Sequence, residues 1–414
     1  MKIPILKNIT RYWKQDLNAA LAVSLVAIPQ ALAYATMAGL PAYLGLYALT
    51  IPTIIAALLG TSSILSTGPY AVVSVLIAAT LSKLGTANVH QLISTGIMLA
   101  VLVGLIQIIL GIFKVGSFIQ YITRPVLYGF TTAAAIIILI SQIPSLLGIQ
   151  IARSPHVFEL MMNLLNHFNG IDYVTAFIGT LSIFLLLALK KLTPQLPAVL
   201  IVVIVGIIVS LSLHYTGPLV GEIPRGFSVI DISLLSHVNV YQLLPSAFII
   251  AIIGFMSSIS ILKSISIKKD EVIEPNRELF AQGVANISSA FIGAFPVSGS
   301  ISRTVLNMQS GAKSKYSSVY LGVITMVVMY FFTSFLFHVT YATLAAIIIV
   351  SVSELIDIKE MQKMFKICIS DGIVALVTII ATIALSPHID YGILIGICMS
   401  VLANIFRGLP KKIL

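Results

Sequence analysis

The sequence AFPVSGSISRT, residues 294–304, places proline, glycine and four hydroxyl residues inside a long apolar run. A second segment, ILSTGPYAVVS at residues 64–74, has the same character. Each segment begins with a short piece that favours extended backbone and continues into a stretch compatible with a helix. Proline suits the first turn of a helix, where an N–H would have no partner, so Pro69 predicts a helix start. Ser298 or Ser300 is the predicted N-cap of the second helix.

The rest of the chain has the composition of a membrane protein. Its 414 residues are 58% hydrophobic and only 9% charged. Soluble domains carry about 25% charged residues, so this chain has too few polar side chains to cover a globule in water. The composition also excludes disordered, collagen-like, coiled-coil and disulfide-stabilised proteins. We therefore predict an all-α polytopic membrane protein with about 12 to 14 crossings of the lipid bilayer, at roughly 20 residues per span.

The net charge of +10 is spread along the chain. The basic residues stand singly or in short clusters between apolar runs, as they do in cytoplasmic loops of membrane proteins. We therefore interpret the positive charge as a sign of how the spans are oriented in the membrane. We expect no nucleic-acid partner. Both ends of the chain are basic, so we expect a multi-pass protein of a bacterial inner or other plasma membrane with both termini in the cytoplasm.

The two broken segments lie at corresponding positions of the two halves. Gly68 and Gly299 each follow the start of their half by about 50 residues, which supports an internal repeat. Irregular backbone at membrane depth survives only where protein buries it or a cavity wets it. Interrupted segments in matching places therefore indicate a transporter binding site. Two ordinary kinked helices are the alternative interpretation.

The residue types at these breaks favour an anion as the ligand. Each half-helix N-terminus carries roughly +0.5 charge and free N–H donors. Arg303 adds a full charge inside an uncharged run, and an intramembrane arginine is a functional-site hypothesis by default. A side chain that snorkels to the interface is the alternative. Gln30 and Tyr34, four residues apart on one helical face, offer polar groups either to a ligand or to a neighbouring helix.

Several ordered motifs resemble the sulfate permease family (SulP). They are VAIPQALAY (26–34), AGLP (38–41), GLY (45–47), STGP (66–69), REL (277–279) with Gly283 and Asn286, and FPVSGSISRT (295–304) with Asn307. The resemblance covers essentially the whole chain, and it implies one membrane transport domain made of two inverted seven-segment repeats, residues 1–231 and 232–414. The first four segments of each repeat would form a core domain and the last three a gate domain.

The resemblance also implies a site and a mechanism. Substrate would bind between the broken third and tenth segments, each preceded by a short β-like piece, and the core would move against the gate like an elevator. The substrate-binding residues that match by position are Gln30, Tyr34, Pro69, Tyr70, Ile301, Ser302 and Arg303. A homodimer is expected by analogy, and the spacing of Gly392 and Gly396 suits a close helix contact.

Two features depart from the family pattern. Members usually carry a cytoplasmic STAS domain after the last span, whereas this sequence ends at Leu414, so we expect no STAS domain here. Many proton-coupled members have a glutamate in the eighth segment, and sodium-coupled bicarbonate members an aspartate. Here Gly254-Phe-Met256 is followed by Ser257. Ser257 can hydrogen-bond an anion that a carboxylate would repel, so it joins the predicted substrate-binding residues.

These observations predict a secondary transporter of small inorganic anions. Sulfate-like anions, bicarbonate, chloride and dicarboxylates remain open as substrates, and the absent carboxylate favours anion exchange or uncoupled conduction. The alternatives are a proton-coupled sulfate symporter, a nucleobase permease of the same fold, and a voltage-driven motor protein. We expect no enzyme, no cofactor and no metal, because no His/Asp/Glu cluster with ligand spacing is present.

Overall fold

The computed structural model describes residues 5–84, 88–119, 124–151, 156–193, 196–224, 226–227, 238–269 and 272–406. The helices of the first half are α1 (Ile5–Met37), α2 (Tyr43–Ala48), α3 (Ile51–Leu59), α4 (Ala71–Lys83), α5 (Val89–Ile112), α6 (Gly116–Ile119), α7 (Arg124–Leu147), α8 (Val157–Asn166), α9 (Tyr173–Leu192) and α10 (Ala198–Ser212). Those of the second half are α11 (Val240–Lys269), α12 (Pro275–Phe291), α13 (Ile301–Gln309), α14 (Tyr316–Phe331), α15 (Thr333–Phe337), α16 (Tyr341–Ser353), α17 (Ile358–Ile367), α18 (Ile369–Ala384) and α19 (Ile389–Phe406).

These helices have the length and composition of membrane spans. Among the described residues, six helical stretches are long and apolar enough to cross a bilayer, and six shorter apolar ones accompany them. A helix satisfies its own backbone N–H and C=O groups, which is why apolar chains cross lipid in this form. The predicted polytopic all-α class is therefore confirmed. The predicted repeat boundary at 231/232 and the basic C-terminal end of the chain lie outside the described residues.

Both predicted breaks are short strands followed by short helices. Strand β1 (Thr67–Gly68) pairs antiparallel with β2 (Ser298–Gly299), with Thr67 opposite Gly299 and Gly68 opposite Ser298. Helix α4 follows β1, and α13 follows β2; these two short helices are the half-helices. The ladder joins the two halves of the chain at one point and fixes the two half-helices relative to each other.

The helices pack in two groups. In the first group, α5 and α12 pack on each other, α3 packs on α12 and α14, and α1 packs on α14. The half-helices join this group, since α4 packs on α11 and α13 packs on α1. The second group contains α7, α9, α10, α16, α18 and α19. The groups meet where α1 touches α10 and α16 and where α4 touches α7. This division is the predicted arrangement of core and gate domains.

Two facing glycines set the distance between α5 and α12. A Cβ atom on Gly283 would lie 2.8 Å from the carbonyl oxygen of Gly104, and a Cβ on Gly104 would lie 2.8 Å from the carbonyl oxygen of Gly283. Only glycine allows backbones to approach this closely, as at many helix contacts in membranes. The close approach brings the polar side chains of α12 within reach of α5.

The glycine pair of α19 also faces a helix of the same chain. A Cβ on Gly392 would lie 2.3 Å from Thr382 Oγ1, and a Cβ on Gly396 would lie 2.3 Å from Thr378 Oγ1. Both threonines belong to α18. The close helix contact that the spacing of Gly392 and Gly396 suits is therefore made with α18 of the same chain.

Two buried carboxylates tie the core together at one end. Asp16 of α1 accepts hydrogen bonds from the backbone N–H groups of Lys313 (2.7 Å) and Ser314 (3.0 Å), just before α14. Glu278 of α12 accepts bonds from Thr61 through its N–H (3.0 Å) and its hydroxyl (3.1 Å), just after α3. Burial of both carboxylates was not foreseen, because hydropathy does not distinguish a span end in water from one packed in protein.

Two cations bond to the last carbonyl groups of α3 at the same end of the core. Arg277 Nε donates to the carbonyl oxygen of Leu59 (3.1 Å), and Lys315 Nζ donates to that of Leu58 (2.7 Å). The last carbonyls of a helix lack partners and carry partial negative charge, so cations stabilise them. The start of α12 and the start of α14 are thereby attached to the end of α3, beneath the half-helices.

Candidate functional site between the half-helices

The positive ends of both half-helices point back at the β1–β2 ladder. The first helical bond of α4 runs from Ser74 N to Tyr70 O (2.9 Å), and that of α13 from Thr304 N to Ser300 O (3.0 Å). The N–H groups of the residues between have no carbonyl partner within their own helix. Two sets of free donors and two helix dipoles therefore create positive potential on either side of the ladder.

Arg303 places its guanidinium between α13 and the end of β1. The side chain has 0% exposure, and Nη1 donates to the carbonyl oxygen of Pro69 at 2.7 Å. Nε and Nη2 have no hydrogen-bond partner among the described residues. Nη2 packs against Gly68, where a Cβ would lie 3.1 Å away. Complete burial contradicts the alternative of a side chain that snorkels to the interface.

Three other predicted residues, Tyr34, Tyr70 and Ser257, converge on the same place. The Tyr34 and Tyr70 side chains lie near Arg303 and near each other, and the Tyr70 hydroxyl lies beside Ser257 Oγ. All three polar side chains and Gln30 are buried. Gln30 Oε1 and Ser257 Oγ make no hydrogen bond of good geometry to any described residue. The structure thus brings together residues from α1, α4, α11 and α13.

Tyr34 also reaches the gate domain. Its hydroxyl lies beside the side chain of Ser351, which is on α16. Ser351 was not among the predicted site residues, and no motif in the sequence distinguishes it from other serines in spans. Tyr34 therefore lies between the Arg303 guanidinium in the core and the gate domain.

The first turn of α13 is open on one side. Ile301 is 46% exposed, and Ser302 is exposed as well, whereas Arg303 is buried. On α4, Tyr70 and Ala71 are both buried. Ile301 and Ser302 are therefore accessible from one side, whereas Arg303 and the predicted site residue Tyr70 are enclosed by protein.

The predicted details of the helix starts need correction. Helix α4 begins at Ala71 with Tyr70 as its N-cap, so Pro69 lies before the helix and not in its first turn. The Pro69 carbonyl is used by Arg303, which fixes the strand end. Ser300 occupies the N-cap position of α13, but its hydroxyl makes no capping bond to the helix. Ser298 Oγ instead donates to the carbonyl oxygen of Gly254 at 2.7 Å.

Asn286 holds the backbone that leads into β2. Its Oδ1 accepts from the N–H of Val297 (2.7 Å), and its Nδ2 donates to the carbonyl oxygen of Val297 (3.2 Å). Nδ2 also donates to Gln107 Oε1 (2.9 Å), and Gln107 Nε2 donates to the carbonyl oxygen of Ala251 (3.0 Å). One side chain from α12 thereby replaces the strand partner that Val297 lacks.

The backbone of β1 is held in a similar way. Thr53 Oγ1 donates to the carbonyl oxygen of Thr67 (2.8 Å), and Gln282 Nε2 donates to Thr67 Oγ1 (2.9 Å) and to Glu278 Oε1 (3.0 Å). Thr304 Oγ1 accepts from the N–H of Ser66 (3.1 Å). These positioning residues were missed as a group, although the motif with Glu278, Gly283 and Asn286 marked the segment.

The fold and this broken-helix centre define a class of protein. Two inverted repeats of seven segments, with half-helices that meet at a buried cation, make a multi-pass membrane transporter. The chain belongs to the sulfate permease family, whose model matches residues 13–378. Members of this family are sulfate and other anion transporters and not enzymes.

One relative matches this chain in sequence, and two solved structures match it in fold. The chain is 33% identical over 401 residues to the chloroplastic sulfate transporter 4.1 of Arabidopsis thaliana, covering 95% of this chain and 58% of that relative. The murine anion transporter Slc26a9 in an inward-facing state superposes with a TM-score of 0.88 at 23% identity, over 98% of this chain and 71% of that chain. The transmembrane domain of the cyanobacterial bicarbonate transporter BicA superposes with a TM-score of 0.82 at 22% identity, over 94% of this chain and 98% of that domain.

Proposed function

We propose that this protein is a secondary transporter of small inorganic anions of the sulfate or bicarbonate type. The anion binds between α4 and α13, at Arg303, and contacts Gln30, Tyr34, Pro69, Tyr70, Ser257, Ile301 and Ser302. The core domain carries it past the gate domain in an elevator motion. The observation that carries this proposal is the buried Arg303 guanidinium, because two of its three nitrogens have no partner among the described residues.

A buried and incompletely bonded cation favours an oxyanion strongly. Removing a charged group from water costs several kcal/mol, so a buried arginine needs acceptors for its N–H groups. Sulfate and bicarbonate carry oxygens that accept charge-assisted hydrogen bonds from guanidinium, and such bonds are about twice as strong as neutral ones. The free N–H groups of α4 and α13 supply further donors, as at other anion sites on helix N-termini.

The missing carboxylate supports exchange or uncoupled conduction. A charge that crosses the membrane is worth about 2.3 kcal/mol per 100 mV, so a divalent anion entering a negative cell is opposed by about 4.6 kcal/mol. Proton symport needs a titrating group on the pathway. Among the described residues the buried carboxylates are Asp16 and Glu278, and both are bonded to the backbone at the end of the core.

The relatives support the same substrate class, although the chain spans 58% of the Arabidopsis relative. That relative is a sulfate transporter, and BicA is a bicarbonate transporter. For location, the basic Arg277 and Lys315 at one end of the core support that end as the cytoplasmic side of a plasma membrane. The first helix begins at this end, which supports a cytoplasmic N-terminus. The homodimer remains a proposal that rests on family resemblance.

The proposal is tested by transport into liposomes. Purified protein is reconstituted, membrane voltage is clamped, and uptake of radiolabelled sulfate is followed with chloride, bicarbonate, sulfate or gluconate inside. We expect uptake that depends on an internal counter-anion, or that follows voltage alone, and that is unaffected by an imposed proton gradient. Arg303→Gln is expected to lower the initial rate at least tenfold, while Lys359→Gln, an exposed cation elsewhere, leaves it unchanged.

Two results would overturn parts of the proposal. Concentrative uptake driven by a proton gradient under voltage clamp would establish proton symport and place a titrating group on the pathway. Sulfate and bicarbonate uptake at the wild-type rate in Arg303→Gln would show that the guanidinium only supports the ladder. Size-exclusion profiles of the variants serve as the folding control.

A further inference from the structure

A cleft of about 530 Å³ lies on the outside of the core domain, away from the half-helices. It is formed where α5 ends and α12 begins, and its lining includes Lys114, Glu274, Asn276, Arg277 and Phe280. Helix α5 is long and apolar enough to span a membrane. The cleft lies at its end, where the hydrocarbon region meets the headgroups. The volume is in the range of small-ligand sites in proteins.

The walls of the cleft are held by hydrogen bonds and close backbone contacts. Asn276 Nδ2 donates to Ser117 Oγ (3.0 Å), and the N–H of Ser117 donates to Asn276 Oδ1 (3.3 Å). On the floor, a Cβ on Gly111 would lie 3.0 Å from the backbone nitrogen of Phe280. The cleft is therefore preformed and does not depend on a mobile loop.

The charged groups of the lining favour a singly charged anion. Lys114 and Arg277 contribute two positive charges and Glu274 one negative charge, so the lining has a net charge of about +1 at neutral pH. Among the described residues, Arg277 donates through Nε to the carbonyl oxygen of Leu59, and its terminal nitrogens keep donors for another ligand. Lys114 sits at a left-handed position after α5, with φ of 59°.

Lys315 and Arg277, two cations beside the cleft, repel each other. Burial and the neighbouring charge of Arg277 both lower the pKa of Lys315, in that order of importance. An anionic group beside Arg277 would offset this repulsion. Exposed apolar side chains border the cleft, since Ile112, Phe113 and Phe280 face outwards. A ligand with a charged head and an apolar tail matches that border.

We propose that this cleft binds the headgroup of an anionic phospholipid, with the lipid phosphate between Lys114 and Arg277 and the acyl chains along Ile112 and Phe280. The combination of two cations, a preformed cleft and an apolar border at the end of the α5 span carries this assignment. Each lysine or arginine near a membrane surface strengthens binding to anionic lipid by roughly fivefold. The site is independent of the proposed anion transport, because none of its residues lies at the half-helices.

The experiment is native mass spectrometry of the detergent-purified protein mixed with phosphatidylglycerol and phosphatidylcholine. We expect one phosphatidylglycerol to be retained in preference to phosphatidylcholine. Lys114→Gln is expected to lower this preference about fivefold, and Glu274→Gln is expected to raise it about fivefold, since the two variants change the lining charge in opposite directions. Lys359→Gln, which removes an exposed cation outside the cleft, is the matched control.

Opposite shifts in Lys114→Gln and Glu274→Gln, with no shift in the control, would support the site. This test needs no variant at Arg277, whose bond to the Leu59 carbonyl also holds the core together. Equal retention of the two lipids by the wild-type protein would overturn the proposal. So would a Lys114→Gln protein that retains phosphatidylglycerol as the wild type does. Full competition by free glycerol phosphate at equal concentration would show a soluble phosphate site and not a lipid site.

Discussion

At the scale of single residues, Ser257 carries the difference between this chain and carboxylate-bearing relatives. Its hydroxyl is buried beside Tyr70 and has no hydrogen bond of good geometry to a described residue. A hydroxyl can donate to an anion or accept from a tyrosine, whereas an ionised carboxylate only accepts. We therefore expect the side chain at this position to determine whether the proposed site next to Arg303 accepts an anion alone.

Ser257→Glu is expected to make transport depend on pH. The carboxylate repels a bound anion when it is ionised, so sulfate uptake at neutral pH should fall at least tenfold. Protonation removes that repulsion, so uptake should recover as the pH falls, which is the opposite of a group that must be ionised to act. The measurement is the initial rate of sulfate uptake in proteoliposomes between pH 5 and 8.

Ser257→Gln is the matched control, because it has similar size and no charge. Its uptake should vary with pH no more than that of the wild-type protein. Identical pH profiles for the glutamate and glutamine variants would show that Ser257 does not face the anion.

The sequence was least informative about which individual charged side chains are buried. Arg303 was predicted because its charge stands alone in an apolar run. Asp16 and Glu278 stand at span ends, where carboxylates are ordinarily in water. Their burial depends on backbone donors at Ser314 and Thr61, which come from distant parts of the chain. No local pattern contains that information.

At the scale of elements, the extended segments depend on side chains for their hydrogen bonds. Asn286 serves both the N–H and the carbonyl of Val297, as a neighbouring strand would. Gly299 N donates to Ser258 Oγ at 3.0 Å, and Ser289 Oγ donates to the carbonyl oxygen of Phe295 at 2.6 Å. A two-residue ladder persists here because polar side chains complete it on both flanks.

Asn286→Ala is expected to lower the free energy of unfolding by about 2–4 kcal/mol, because it leaves the N–H and carbonyl of Val297 and the Oε1 of Gln107 without these buried partners. The measurement is the apparent melting temperature in detergent. Ser288→Ala, two residues along the same helix, removes a hydroxyl that bonds only within α12, to the carbonyl oxygen of Ala285. This control should change stability far less. Equal losses in both variants would contradict the strand-holding role.

Gly283→Ala is expected to separate α5 from α12 and to destabilise the protein by about 1–3 kcal/mol, as overpacking does. The added Cβ would lie 2.8 Å from both Gly104 O and Ile108 N, which are backbone atoms that cannot turn aside. Gly170→Ala is the control, since nothing lies within 4 Å of its Cβ position. Thermal unfolding followed by circular dichroism compares them, and a neutral Gly283→Ala would refute the close contact.

The sequence predicted that two membrane spans are interrupted. It did not predict the residue at which α4, the helix after the first interruption, begins. Proline is compatible with the position before a helix as well as with its first turn. The choice here is made by the ladder and by the bond from Arg303 to the Pro69 carbonyl, across 234 residues of chain. The local sequence predicted correctly that a helix follows Pro69. A tertiary contact determined the residue at which that helix begins.

At the scale of the whole molecule, the core and gate meet through few helices. Tyr34 on α1 and Ser351 on α16 form one polar contact across that boundary. Buried polar contacts are numerous inside the core, as at Asn286 and Gln107. This distribution favours movement of the core as a rigid body against the gate, as in other inverted-repeat transporters.

Spin labels test that movement in a background with Cys368 and Cys398 replaced by serine. Labels at Lys313 in the core and Lys359 beside the gate should change their distance distribution when sulfate is added to reconstituted protein. Labels at Lys359 and Leu402, both on the gate side, should keep theirs. A change within the gate pair, with none between core and gate, would contradict rigid-body motion.

The overall architecture was predictable because its evidence is spread along the chain. Repeated apolar runs predicted the spans, and ordered motifs from residue 26 to residue 307 resembled one family. The packing partners of α19 were not predictable in the same way. A Gly-x-x-x-Gly pair permits a close contact with any helix, and here α18 of the same chain makes it.

The β1–β2 ladder has a consequence for biosynthesis. Ser66 and Thr304, which bond beside the ladder, are 238 residues apart. At roughly 5–20 residues per second, a ribosome needs about 10–50 s to make that length of chain. Throughout this interval the segment at residues 64–69 has no partner strand, and lipid cannot replace one. The first half must therefore wait in wetted or protein-lined surroundings, and its insertion is complete only when the second half has emerged.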